Sequence, residues 1–255
     1  MLRAIWTSKS SMMANQNKLD IISNNITNIS TTGYKKVELE FKDLYHESLD
    51  RLGVPINDKE SVVGTGVKNS NIYRNTTQGS LLETGAFTDF AIDGEGFFKV
   101  ISPNNQELYT RNGKFNIDMN GNLVDDNGYY LEIDYLNGYN KNNVNLGSNN
   151  FVVDTNGNLY KKMNQGTELV GKISTYSAIG TEAFLSIGES YYINNPGVEV
   201  TTADSNIYQG YLENSNVDIG EEFTDMIIAQ RAFQLASKSL QTADEMWGMV
   251  NSLRT

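Results

Sequence analysis

The chain has 255 residues, 39% of them hydrophobic and 20% charged, which is enough for a folded core with an accessory element. Its 31 acidic and 20 basic residues give a formal net charge of −11, which argues against nucleic acid and anionic membrane surfaces, both bound through Lys and Arg. The absence of Cys excludes disulfides and thiolate metal sites, and no apolar run approaches the ~18 residues of a membrane helix, so no membrane insertion is expected.

Residues 1–28 carry a helical signature. Ile5, Met12, Leu19 and Ile26 recur every seventh position, flanked by Leu2, Trp6, Met13 and Ile22, with neither Gly nor Pro in the segment. An apolar heptad of this kind marks a helix whose seam faces a partner helix. Ser30-Thr31-Thr32-Gly33 then ends it, with poor helix formers followed by a Gly able to take positive φ. The first residues show no continuous apolar stretch of signal-peptide type, so any export is expected without a cleaved signal.

Residues 41–63, with Gly53 and Pro55, read as a connector. From about Gly64 to Ile207 the pattern changes to short apolar or alternating runs: 97–101, 114–118, 129–133, 151–153 and 169–176. Between them stand Asn112-Gly113, Asn120-Gly121, Asn127-Gly128 and Asn156-Gly157. Asn-Gly between strands signals a tight hairpin, because both residues tolerate positive φ. An antiparallel β-rich domain is predicted. Residues 117–123 and 153–159 resemble each other, as two equivalent hairpins would.

The last zone, 218–253, is the most regular. Ile219, Met226, Phe233, Leu240 and Trp247 fall seven apart, and three residues after each come Glu222, Ala229, Ala236, Ala243 and Val250. One line is bulky and the other mostly small, which lets a second helix approach closely. Asp218 and Glu221 have capping-box spacing, and Glu222 and Asp225 place negative charge at the positive end of the helix dipole. Such a helix would be about 50 Å long. The two terminal seams are expected to pack on each other, giving an α+β fold with paired terminal helices around a central antiparallel β-rich domain.

A search for chemistry returns little. His46 is the only histidine, with no Cys to accompany it. The Asp118 and Asp154 turns lack the Gly and the bidentate Glu that a calcium loop needs at its sixth and twelfth positions. Asp93-Gly94-Glu95-Gly96 lacks the third Gly of a dinucleotide motif and precedes a strand, so no helix N-terminus awaits a phosphate. Asp125-Asp126 sits beside a turn Gly. No catalytic, metal-binding or cofactor-binding residues are assigned, and no enzyme activity is expected.

Three groups of residues carry a family resemblance. Asn24-Asn25-Ile26-Thr27-Asn28-Ile29-Ser30-Thr31-Thr32-Gly33-Tyr34-Lys35 resembles the paired-Asn and Thr-x-Gly-aromatic-basic signature of the axial proteins of the bacterial flagellum, the rod and hook subunits. Thr27 departs from that signature, which usually has Ala. Tyr211-Leu212-Glu213-Asn214-Ser215-Asn216-Val217-Asp218, Ala229-Gln230-Arg231-Ala232-Phe233 and Gln241-Thr242-Ala243-Asp244-Glu245-Met246 resemble the family's last helix and its entry. Gln78-Gly79-Ser80-Leu81 with Thr84-Gly85, Ala91-Ile92-Asp93-Gly94-Glu95-Gly96-Phe97-Phe98 and Tyr109-Thr110-Arg111-Asn112-Gly113 are similar to its β-domain motifs. The first nine residues and the total length look most like the family's distal rod members, with proximal rod and hook-type proteins as near alternatives and a soluble coiled-coil adaptor as a more distant one.

The resemblance implies a structural subunit exported through the flagellum's own type III apparatus, located in the basal body outside the cytoplasmic membrane. It would form a helical homopolymer that joins proximal rod and hook subunits and transmits torque, without a cofactor. The implied domains are 1–40, the N-terminal helix and turn of an inner coiled-coil domain; 41–63, the connector; 64–207, an outer β-rich domain; and 208–255, the C-terminal helix of the inner domain. Ile5, Met12, Leu19, Ile26, Ile219, Met226, Phe233, Leu240 and Trp247 are the expected packing and assembly residues. Asn24, Asn25, Asn28, Gly33 and Tyr34 are expected to shape the turn out of the first helix.

Overall fold

The computed structural model describes residues 2–48, 62–141, 143–147, 150–163, 166–180, 183–188 and 190–253. Of the predicted connector, 49–61 lie outside the described residues. The chain divides into two compact units, one made of 1–27, 37–73 and 218–255, the other of 28–36 and 74–217.

The first unit holds both helices. Helix α1 spans Leu2–Thr27 and α2 spans Ile219–Ser252. Asp218 caps α2: its carboxylate accepts from the Gly220 amide at 2.7 Å and the Glu221 amide at 3.1 Å, satisfying donors that the first turn leaves open. The unit also contains the paired strands Val37–Asp43 and Val67–Arg74, and the short pair His46–Ser48 with Val62–Gly64. His46 Nε2 lies 3.0 Å from Asp43 Oδ2, both side chains more than half exposed.

The second unit is antiparallel β throughout its described strand pairs. A nine-stranded sheet and a four-stranded sheet pack around one core of Phe90, Phe98, Phe115, Phe151, Leu123, Leu159, Val170 and Ile207. Three of the four predicted Asn-Gly hairpins form as such. Asn120-Gly121 joins Asn116–Ile117 to Leu123–Val124, Asn127-Gly128 leads on to Tyr130–Leu131, and Asn156-Gly157 joins Phe151–Val153 to Asn158–Met163. Asn112-Gly113 makes no hairpin; Gly113 is wedged beneath Phe90, whose amide donates to the Gly113 carbonyl at 2.9 Å.

Strands Phe97–Ile101 and Phe151–Val153 coincide with the apolar runs of the sequence. The run 169–176 is divided between Gly166–Lys172 and Thr175–Ala178, which pair in different sheets. The β-rich unit also differs in extent from 64–207. Residues 64–73 belong with the helices, because Val67–Arg74 pairs with Val37–Asp43. At its far end the unit runs to Val217, because Tyr211–Glu213 pairs with Leu81–Glu83. The turn 28–36, read from sequence as an appendage of the first helix, is built into the β unit.

Candidate functional site: an exposed helix face and a buried carboxylate

In the helical unit the two helices run antiparallel. Ser8 Oγ donates to Ser239 Oγ at 3.1 Å, Lys18 Nζ lies 2.9 Å from Asp225 Oδ2, and Asn25 Nδ2 donates to Glu222 Oε2 at 3.3 Å. Along this contact the buried residues are Glu222, Ala229, Ala236 and Ala243 on α2 and Ser8, Ala14, Ile22 and Asn25 on α1. The small line of α2 therefore faces α1, and its lack of side-chain bulk is what lets the helices come close.

The bulky line flanks that contact. Met226, Phe233 and Leu240 are half-buried, as are Ile5, Met12, Leu19 and Ile26, while Ile219 and Trp247 are each 49% exposed. Around the rest of α2, Phe223, Ile227, Ile228, Leu235, Met249 and Val250 are exposed as well.

The predicted turn residues fall into two groups. Asn25, in the helical unit, grips the backbone of Val37 with both ends of its amide: Oδ1 accepts from the Val37 amide at 3.0 Å and Nδ2 donates to its carbonyl at 2.9 Å. Asn24 beside it is exposed. In the β unit, Asn28 accepts from the Thr31 hydroxyl at 3.2 Å, and Tyr34 is buried. Gly33 stands at φ +67°, its amide donating to the Glu213 carbonyl at 2.8 Å. A Cβ there would sit 2.6 Å from the backbone of both Arg111 and Asn112. Gly33→Ala is accordingly expected to cost about 2–5 kcal/mol, from left-handed strain plus the clash. A urea midpoint equal to that of the parent protein would refute the turn geometry.

Sequence reading did not single out the most buried polar cluster. Glu213 sits at the end of its strand with 2% exposure. Its carboxylate accepts from Lys35 Nζ at 2.6 Å, from the Gly79 amide at 2.8 Å and from Arg111 Nε. Lys35 also donates to the Thr77 carbonyl at 2.8 Å, and Arg111 donates to the carbonyls of Gly96, Ile92 and Gly94. Burial pushes the Lys35 ammonium below its ordinary pKa; Glu213 opposes that shift and Arg111 adds to it.

Asn216 completes the arrangement, accepting from the Lys36 amide at 2.7 Å and donating to the carbonyls of Asn75 at 2.9 Å and Thr77 at 3.0 Å. Segments 33–36, 75–79, 92–96, 111 and 213–216 thus meet at one place. The available signal was that Lys35, Arg111, Glu213 and Asn216 all lie within the motifs that carry the family resemblance. Nothing in their spacing pairs them.

Elsewhere in this unit two tyrosines are tied to carboxylates. Tyr176 donates to Glu132 at 2.8 Å and Tyr191 donates to Asp125. Burial first, and then these bonds, raise both hydroxyls above the ordinary tyrosine pKa. A raised pKa in the folded state stabilises the protein fully below about pH 10, and that stabilisation is lost as pH rises from there through the folded values. In an alkaline titration followed by tyrosinate absorbance, Tyr176 and Tyr191 are expected to ionise late, together with unfolding. A single smooth transition of all tyrosines near the ordinary value would contradict this.

Among the described residues no group of acidic or His side chains could hold a metal ion, and no helix is long and apolar enough to cross a membrane.

The converging segments are those that carry the family resemblance, and comparison with known proteins agrees. Residues 5–35 match the family described as flagella basal body rod protein, 91–161 the D1 domain of the flagellar hook protein FlgE/F/G, and 208–253 the C-terminal part of the flagellar basal body rod FlgEFG protein. The chain belongs to the flagellar basal-body rod protein family, and it is a structural subunit of that rod. It is 35% identical to the flagellar basal-body rod protein FlgG of Borreliella burgdorferi, over 100% of this chain and 99% of the relative. The FlgG proteins of Agrobacterium fabrum and Bacillus subtilis are each 34% identical, over 98% and 96% of this chain and 98% and 97% of theirs.

Proposed function

We propose that this subunit occupies the distal section of the rod and polymerises helically through its terminal helices into the shaft that carries torque between motor and hook. The observation that carries the reading is the exposed apolar face of α2, Phe223, Ile227, Leu235 and Met249 among others, on a helix whose small line already covers α1. Burying one such side chain is worth roughly 1.5–3 kcal/mol, so a few of them from each neighbour suffice to hold subunits together. In the polymer, α1 and α2 form a coiled-coil layer with the helices of adjacent copies, and the β-rich unit serves as the outer layer.

The end-to-end alignment with FlgG relatives supports the distal position. The partners are then further copies of this chain, proximal rod and hook subunits, and the flagellar export apparatus, which passes the chain without a cleaved signal. The location is the basal body outside the cytoplasmic membrane. No catalytic site or cofactor forms part of this reading.

A second reading, a proximal rod or hook-type axial protein, is favoured by the D1-domain match and by 28% identity, over 100% of both chains, to the flagellar hook-basal body complex protein FlhP of Bacillus subtilis. Electron microscopy of basal bodies from cells lacking the gene separates the two. A rod truncated near its outer end, with hook and filament missing, supports the distal position. A rod lost at its base supports the proximal one. An intact rod and hook would overturn both.

A further inference from the structure

We propose that Asn137 is a site of spontaneous deamidation, selected by the fold from the five Asn-Gly pairs of the chain. In this reaction the backbone nitrogen of the following Gly loses its proton and attacks the Asn side-chain carbonyl carbon. A C–N bond forms, the bond to the side-chain nitrogen breaks, and ammonia leaves. Water then opens the resulting cyclic imide at either carbonyl, giving Asp or isoaspartate. Gly favours the reaction because it has no Cβ to obstruct the approach. The nucleophile is thus the Gly amide, and the electrophile is the Asn carboxamide; a pair reacts only where both can move.

Four pairs are held. In Asp118-Met119-Asn120-Gly121, Asp125-Asp126-Asn127-Gly128 and Asp154-Thr155-Asn156-Gly157 the Gly amide donates to the carbonyl of the Asp three residues earlier, at 2.8, 3.0 and 2.8 Å. Asn127 is tied further through its side chain to the Tyr191 hydroxyl at 3.1 Å. In Asn112-Gly113 the Asn112 Oδ1 accepts from the Thr32 hydroxyl at 2.9 Å and the Lys114 amide at 3.1 Å. Gly113 is so closely packed that even a Cβ would lie 1.6 Å from the Phe90 carbonyl oxygen, which leaves no room for an imide ring.

Asn137-Gly138 differs in each respect. Both residues are exposed, at φ +55° and +80°, and a Cβ on Gly138 would meet nothing within 4 Å. The turn is closed by the Tyr139 amide donating to the Leu136 carbonyl at 3.1 Å, and the Gly138 amide has no acceptor among the described residues. One bond restrains the side chain, from Nδ2 to the Leu169 carbonyl at 2.9 Å, and it is exposed. Deamidation replaces that donor by a carboxylate facing a carbonyl, so residue 137 loses its bond to the strand Gly166–Lys172 and the turn carries one more negative charge.

The test is incubation of the full-length protein in mildly alkaline buffer, followed by digestion and mass spectrometry of Asp and isoaspartate at all five pairs, with a parallel sample unfolded in urea. In the folded sample Asn137 is expected to convert roughly fivefold or more ahead of each other pair, the factor set by one hydrogen bond of ordinary net strength. In urea the five rates should converge, and in Asn137→Asp the dominant new acidic species should disappear from the folded sample. Even conversion across the folded pairs, a lead by any other pair, or a lead of Asn137 that persists in urea would each overturn the assignment.

Discussion

Replacing Glu213 by alanine is expected to destabilise the β-rich unit by about 3–5 kcal/mol, the cost of removing one partner from a buried ionic cluster. The carboxylate is the counter-charge of both Lys35 and Arg111, whose side chains are 2% and 3% exposed, so neither cation can turn to water when it is lost. The Gly79 amide loses its acceptor in the same step. Glu213→Gln should lose less, because the amide oxygen still accepts one of these bonds while the net positive charge remains. Denaturant unfolding followed through the β unit measures both. A Glu213→Ala midpoint equal to that of the parent would show that the cluster is solvated and contributes little. The expected magnitude is a large share of the 5–15 kcal/mol that holds an ordinary domain together. Loss of the folded subunit, and with it of the rod, is therefore the expected phenotype in cells.

Phe233→Asp is expected to abolish rod assembly while the isolated subunit stays folded. Phe233 flanks the intramolecular contact and is half-buried in the single chain, so an aspartate there reaches water in the monomer. In a polymer that completes the seam, the same charge is buried without a partner and costs several kcal/mol for every subunit. Ala236→Leu serves as the contrasting variant. Ala236 is 9% exposed on the line that faces α1, so added bulk there forces the two helices apart and costs about 1–3 kcal/mol in the monomer itself. Circular dichroism melting of the purified subunits and electron microscopy of basal bodies distinguish the two. Motile cells with full-length rods carrying Phe233→Asp would remove the bulky line from the assembly interface. A melting curve of Ala236→Leu matching the parent would remove the small line from the helix contact.

Much of this protein is legible locally. The heptads place both helices to within a residue or two of their observed ends, and Asp218 announces the α2 cap, because periodicity and capping depend on neighbours in the chain. Asn-Gly marks three hairpins for the same reason: each turn needs positive φ at its own Gly, residues 121, 128 and 157. Gly33 was readable as a special position, and the crowding by Arg111 and Asn112 is the part that sequence could not supply. The membership in the rod family was carried by motifs at both ends and in the β domain, each a short contiguous string.

What only the tertiary structure decided is which residues those motifs bring together and which side of each helix is covered. A heptad identifies two adjacent lines, bulky and small, and is silent on which faces the partner within the same chain. The answer depends on how closely α1 and α2 approach, and the buried Ala line decides it. Lys35 and Glu213 are 178 residues apart, and Arg111 and Glu213 are 102 apart. No local preference links them; they meet because Tyr211–Glu213 pairs with Leu81–Glu83 and because the turn at Gly33 lies over Arg111. The boundary of the β unit moved for the same reason. Residues 28–36 read locally as a turn attached to the first helix, and become part of the β unit once strand pairing and a buried carboxylate give Lys35 its only neutralising partner among the described residues. Local physics therefore determined the elements of this rod subunit, and long-range pairing of buried polar groups determined how they close.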